Sequence, residues 1–283
     1  MVNLHCKVWV PGHISCFFEA FINNSLNKTG STGAGINLDK GLFVEVNIEE
    51  SSDTLINCSG TGELAIKKLL EREDRTYKID VSYEYELPTG MGFGMSGAEA
   101  LGSVIAVSKA INLPTTINRL ARTAHHAEVE LMSGLGDVGA QLQQGVTINT
   151  KPGTPGKGGA DRIITRDREI YIATLDRINT SSILKDEKTL EKINYSGRNK
   201  LKKLLKKPTL NKMTELGRDF SKETGIAPQK IEKILDELKS EGVNASMAMI
   251  GQTIFAFEKP ELISEHGELI ETKIALTGPK IID

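Results

Sequence analysis

The stretch "PTGMGFGMSGAEALG", residues 88–102, joins two patterns of opposite periodicity. Before it, "TYKIDVSYEYELP" (76–88) alternates. Tyr77, Ile79, Val81, Tyr83, Tyr85 and Leu87 share one face, which predicts a strand. After it, "SGAEALGSVIAVSKAIN" is apolar nearly all round and predicts a buried helix. Glycine lacks Cβ and tolerates positive φ, so backbone N–H groups in such a turn can converge on an anion. The start of the helix adds its own unpaired N–H groups and a partial positive charge. The segment therefore reads as a phosphate-holding loop built from Pro88, Gly90, Gly92, Phe93, Gly94, Met95, Ser96 and Gly97. Ser96 falls near the helix start, where its hydroxyl can cap the helix or face a phosphate or a metal ion.

The loop is not of the Walker A type, because no lysine follows its glycines. "GFGMSG" matches GxGxxG at Gly92, Gly94 and Gly97. The acid that grips a dinucleotide ribose about 20 residues further on is missing, since 115–120 reads "TTINRL". Composition narrows the rest. With 283 residues, 39% hydrophobic and 25% charged, the chain is that of an ordinary soluble globular protein. Its net charge of −2 gives no whole-chain case for nucleic acid or an anionic membrane as partner. Cys6, Cys16 and Cys58 have no CxxC pairing, which argues against a zinc site or a disulfide framework. No signal-peptide pattern and no membrane-length apolar run is visible, and a reducing cytoplasm is the expected setting.

Along the chain, "LHCKVWVPG" predicts a strand that breaks at Pro11-Gly12, and "GLFVEVNIE" (41–49) a second strand. Pro114 opens a helix over "TTINRLARTAHHAEVELM" that "SGLGD" stops. "GDVGAQLQQG" predicts a short third helix and "GVTINT" a strand. "KPGTPGKGGA" (151–160) reads as a hairpin tip or an interdomain linker. Beyond it come the strand "EIYIATLD", the basic run 198–212, the amphipathic helix "APQKIEKILDELKSEG" (227–242), and a small-residue turn feeding a strand over 246–258. The basic run carries Leu201, Leu204 and Leu205 at helical spacing and reads as a solvated helix face. We expect an N-terminal nucleotide-binding domain over 1–160 and a second α+β domain over 161–283.

"PTGMGFGMSGAEA" resembles the second motif of the GHMP kinase superfamily, usually PxxxGLGSSAA. Pro88, Gly92, Gly94, Ser96 and Ala98 match in register, while Phe93, Met95 and Gly97 replace Leu, Ser and Ala. The first motif, usually PGKxxLxGEH, reads "PGHISCFFEA" (11–20), with His13 in place of the lysine and Phe18-Glu19-Ala20 in place of GEH. Taken with "GSTGAGINLDKG" (30–41), "AHHAE", "GLGDVGAQLQQG" and "ASMAMIGQTIFAF" (245–257), the chain is similar to the archaeal pantoate kinases of that superfamily. The likeness implies an α+β GHMP kinase fold. Its N-terminal domain would resemble domain 2 of ribosomal protein S5 and its C-terminal domain would be ferredoxin-like, with the site in the cleft between them. It also implies ATP and Mg²⁺ as cofactors, a homodimer, and transfer of phosphate to the terminal hydroxyl of pantoate on the route to coenzyme A.

Phosphoryl transfer is mostly positioning and charge neutralisation. A carboxylate must help hold the metal ion, and a second group must orient or deprotonate the acceptor hydroxyl. The resemblance gives the first task to Glu128 with Ser96, and the second to Asp137. Glu130 competes with Glu128 for the metal. For the pantoate carboxylate we expect His13, Ser31, Thr32, His125 and the backbone of "GSTGAG" as partners. His125 shares a helix face with Glu128 at a spacing of three. Three rival readings are a mevalonate- or homoserine-type kinase of the same superfamily, an ATP-binding regulator without turnover, and a Rossmann dehydrogenase.

Overall fold

The computed structural model describes residues 4–71, 73–176 and 186–282. Two very long strands organise the first sheet. They are β1 (Leu4–Phe21) and β2 (Gly30–Glu50), which form one antiparallel hairpin. Each far exceeds the usual strand length of about 5–6 residues, and the pair bends at irregularities between Pro11 and Gly12 and between Ser15 and Phe17. The predicted strand end at Pro11-Gly12 is therefore a bulge, not a break. A proline has no N–H to lose at a bulge, and it sits opposite Gly41, where a Cβ would meet the Val10 carbonyl oxygen at 2.0 Å.

The bend lets one hairpin serve two neighbourhoods. The outer half of β2 pairs with β4 (Tyr77–Tyr85), which is flanked by the short parallel strand β3 (Leu55–Asn57). The inner half pairs with β5 (Val146–Lys151), itself paired to β6 (Gly159–Ile163), so 151–160 is a hairpin tip inside the first sheet. The edge beside β1 is taken by β11 (Lys280–Ile281), near the far end of the chain. Helix α2 (Met95–Ala110) lies against β1 and β2 and is buried along nearly its whole length. Gly102 makes the close approach possible, because a Cβ there would come within 2.5 Å of Val44 Cγ2. Helices α1 (Gly60–Leu70) and α3 (Ile117–Glu130) flank α2, and α4 (Asp137–Gln141) follows the turn after α3. Thr116 caps α3 through its side chain, as expected of a residue just inside the Pro114 turn.

The second sheet has the order β10 (Glu268–Lys273), β7 (Glu169–Asp176), β9 (Gln252–Ala256), β8 (Ser246–Ala248), all antiparallel. Numbered within this half, that order is 4-1-3-2, as the ferredoxin-like expectation requires. Helices α5 (Glu187–Lys206), α6 (Leu210–Thr224), α7 (Gln229–Ser240) and α8 (Pro260–Ser264) complete it. Helices α5 and α6 also cover the inner half of β1. Phe220 of α6 meets both Phe17 and Phe18, and Gly197 of α5 lies where a Cβ would be 2.0 Å from the Phe18 carbonyl oxygen. In the basic run, Leu201 and Leu204 are buried and Leu205 is exposed. Lys200 is not on a solvated face: it is buried and bonded to Glu223 at 2.5 Å. No helix among the described residues is long and apolar enough to cross a membrane.

Candidate active site

The glycine loop begins where β4 ends and turns into α2 through Gly90, Gly92 and Gly94, at φ 76°, 84° and 66°. All three lie in the left-handed region that disfavours other residues. Gly94 is the residue before α2 and has no side chain with which to cap that helix start; the first N–H groups of a helix have no partner within the helix itself. The loop is held from outside. Thr253 Oγ1 donates to the Met91 carbonyl at 2.8 Å, and Gln141 Nε2 to the Gly94 carbonyl at 2.8 Å. The β8–β9 turn lies directly against it, with a Cβ on Gly251 falling 2.1 Å from the Met91 carbonyl oxygen.

Beside the loop opens a cavity of about 530 Å³. Of the residues expected from the sequence, His13, Ser31, Thr32, Gly90, Gly92, Phe93, Gly94, Met95, Ser96 and Asp137 line it. Pro88 lies at the strand end just outside it, and Gly97 is buried on the far side of the helix turn. Gly97 is where two acids approach the helix: a Cβ there would lie 3.2 Å from Asp137 Cβ and 3.2 Å from Glu128 Oε1. Gly134 lets the same carboxylate in from the opposite side, at 2.2 Å from where its Cβ would be. Residues 40 positions apart thus converge on the start of α2.

Glu128 is fully buried and accepts hydrogen bonds from Ser96 Oγ at 3.4 Å and from the Val138 backbone. Its Oε2 is sealed from solvent, with no hydrogen-bond partner among the described residues. Burial first, and the Asp137 charge second, push its carboxyl well above the ordinary carboxylate range. Asp137 is pushed up by burial too, and His13 pulls it back. An orphaned carboxylate oxygen next to a second acid, a serine hydroxyl and a free helix start is a set of hard oxygen donors. Glu130, the competing candidate, is spent on an ion pair with Lys68 at 2.6 Å. Among the described residues no group of three or more His, Cys, Asp or Glu can hold a metal ion unaided. Among the described residues no lysine or arginine lines the cavity.

The expected carboxylate partners are scattered. His13 is in the cavity wall, Ser31 lies beside Gly136, and Thr32 Oγ1 is buried without a partner among the described residues. His125 is not in this wall. It is buried beneath the site with Nε2 bonded to the Thr29 carbonyl at 2.9 Å, and burial brings its pKa down to about 4. The backbone of "GSTGAG" belongs to β2, with β1 on one side and β5 on the other. Glu19, at the altered end of the first motif, accepts from Arg198 Nε at 2.9 Å and serves to bind α5 to β1. Other lining residues went unseen in the sequence. They are Glu99, which accepts from Tyr85 at 2.8 Å and Thr61 at 3.1 Å, Asn149, and an apolar wall of Phe17, Phe18, Met249 and Ile250. Gln141 and Asn37 stand just behind the wall. Only folding brings such residues together, and none carries a motif of its own.

Comparison with known proteins gives the family. The GHMP kinases N terminal domain family matches residues 60–145. The chain is 33% identical to the pantoate kinase of Thermococcus kodakarensis over 93% of this chain and 91% of that enzyme. It is also 33% identical to the pantoate kinase of Methanocaldococcus jannaschii, over 94% and 98%. A solved structure described as a phosphotransferase related to the CoA biosynthesis pathway superposes with a TM-score of 0.87 at 30% identity, covering 98% of each chain.

Proposed function

This chain belongs to the pantoate kinase family of the GHMP kinases, and on that premise we propose that its cavity joins ATP to pantoate and yields 4-phosphopantoate and ADP for coenzyme A synthesis. The observation that carries the reading is the convergence of Ser96, Glu128 and Asp137 on an uncapped helix start beside the glycine loop. The triphosphate lies along residues 90–97, where backbone N–H groups and the helix dipole receive it. Ser96 and Glu128 hold Mg²⁺ together with phosphate oxygens, and the buried, unpartnered Oε2 of Glu128 fits that use. When bound, the ion offsets the charge of the phosphates, which no lysine or arginine among the described residues of the cavity wall can do. Asp137 sets the acceptor hydroxyl in line with the γ-phosphorus.

Pantoate has a carboxylate, two hydroxyls and a gem-dimethyl carbon. The apolar wall of Phe17, Phe18, Met249 and Ile250 suits the methyl groups. His13, Ser31 and Thr32 remain the proposed polar contacts, and His125 supports their wall from beneath through Thr29. Homodimerisation and a cytoplasmic setting are part of the proposal. Sedimentation of the purified chain tests the first.

The direct test is incubation with ATP, Mg²⁺ and pantoate, with the product identified by mass. Equal or faster turnover of mevalonate or homoserine would replace the substrate. Tight ATP binding with no turnover on any acceptor would favour a regulator.

A further inference from the structure

His13 stands where the superfamily motif has a lysine, and its ring is fixed with unusual definiteness. Asn37 of β2 points one end of its amide at two backbone carbonyls, Ala140 at 2.8 Å and Gln143 at 3.1 Å. A carbonyl only accepts, so that end must be the NH₂ group. The other end is therefore the oxygen, and it lies 2.9 Å from His13 Nδ1. Nδ1 must carry the proton. A neutral His13 then presents Nε2 as a bare lone pair. The ring packs close to Gly35, where a Cβ would be 2.5 Å from Nε2, and His13 lines the cavity. No hydrogen bond to Nε2 is present among the described residues. The His13 backbone N–H donates to the Phe93 carbonyl at 2.8 Å, which ties the residue to the phosphate loop.

We propose that His13 Nε2 is the proton acceptor for the pantoate primary hydroxyl, held in the competent tautomer by Asn37. This rests on the pantoate kinase reading and revises one part of it, because a lone pair cannot donate to the substrate carboxylate. As the hydroxyl oxygen bonds to the γ-phosphorus, the bond from that phosphorus to the β–γ bridging oxygen breaks. The electron pair of that bond leaves on ADP, the hydroxyl proton moves to Nε2, and the imidazolium later releases it to water. A neutral base suits this place better than a second anion, since it does not repel the incoming phosphoryl group. Once protonated it is a cation facing Asp137, the one charged group acting on it among the described residues. Burial holds the imidazole below its ordinary pKa, with Asp137 and the Asn37 hydrogen bond opposing, so the free base is the resting form near neutral pH.

Two measurements decide this. In ¹⁵N-histidine-labelled wild-type protein, NMR should report His13 as neutral, protonated at Nδ1 and bare at Nε2. A proton on Nε2 at assay pH would overturn the proposal whatever the substrate proves to be. His13→Asn should lower kcat about 10²-fold or more and leave the pantoate KM within about threefold. A raised pantoate KM with kcat intact would make His13 a binding residue and sink the proposal. Asn37→Asp should raise the His13 imidazole pKa in the same NMR measurement followed over pH, because a carboxylate at Nδ1 favours the imidazolium; an unmoved pKa contradicts the coupling. Absence of wild-type turnover on pantoate would refute the substrate, while the tautomer measurement would still judge His13.

Discussion

At the scale of single residues, the site sets function against stability. Glu128 and Asp137 are two acids brought together in a buried place, and burial raises both. A carboxyl whose folded pKa is raised binds more protons folded than unfolded, so stability is greatest below the ordinary carboxylate range and falls as pH rises through the raised value. Glu128→Gln should therefore make the free protein more stable than wild type at neutral pH, by about 2–4 °C of Tm for each kcal/mol relieved. The gap should close at acid pH, and calorimetry across pH reads it directly. The same variant should need much more Mg²⁺ for turnover; unchanged Mg²⁺ dependence would remove Glu128 from the metal. Asp137→Asn should cut kcat about 10²–10⁴-fold and change ATP affinity little, and a variant within about twofold of wild type would clear Asp137 of its role. These acids and Ser96 were legible in the sequence because each sits in a motif. Asn37 was not, since nothing in "INLDKG" says that its amide will be clamped by two carbonyls from the chain around α4.

At the scale of elements, the phosphate loop works because other elements prop it. The β8–β9 turn presses Gly251 onto Met91, and Thr253 bonds the same carbonyl. A methyl group at 251 has nowhere to go but into backbone, and overpacking of this kind costs about 1–3 kcal/mol. Gly251→Ala should accordingly raise the ATP KM about tenfold with a smaller effect on the pantoate KM. Equal ATP KM in the two proteins would show that the turn does not shape the loop. The strand before the loop, the buried helix after it and the short helix at Asp137 all follow from local pattern, and all three stand where periodicity placed them. The hairpin of β1 and β2 does not follow. Proline and glycine at 11–12 ordinarily end a strand, and only the partner strand's Gly41 and the bulge turn that end into a bend.

At the scale of the whole molecule, the two sheets share the same hairpin. Helices α5 and α6 close over Phe17 and Phe18, Thr272 of β10 bonds Asp39 of β2 at 2.6 Å, and β11 returns to the edge of β1. The division near residue 160 that we propose is thus a division of topology. A fragment of residues 1–160 would lose its covering helices, its β6 partner and its edge strand. We expect such a fragment to lack cooperative unfolding by circular dichroism, and a soluble fragment with a sharp transition would contradict this. Alone, the sequence determined the loop, its helix, the two acids and the family they resemble, because backbone freedom and hydrophobic period are local properties written residue by residue. Only the tertiary structure decided that Glu128 keeps an unpartnered oxygen, that His125 is spent on Thr29, that Glu19 is spent on Arg198, and which nitrogen of His13 is bare. Those outcomes depend on which donors and acceptors the fold brings within reach of one another, and reach across a fold is not encoded at any single position.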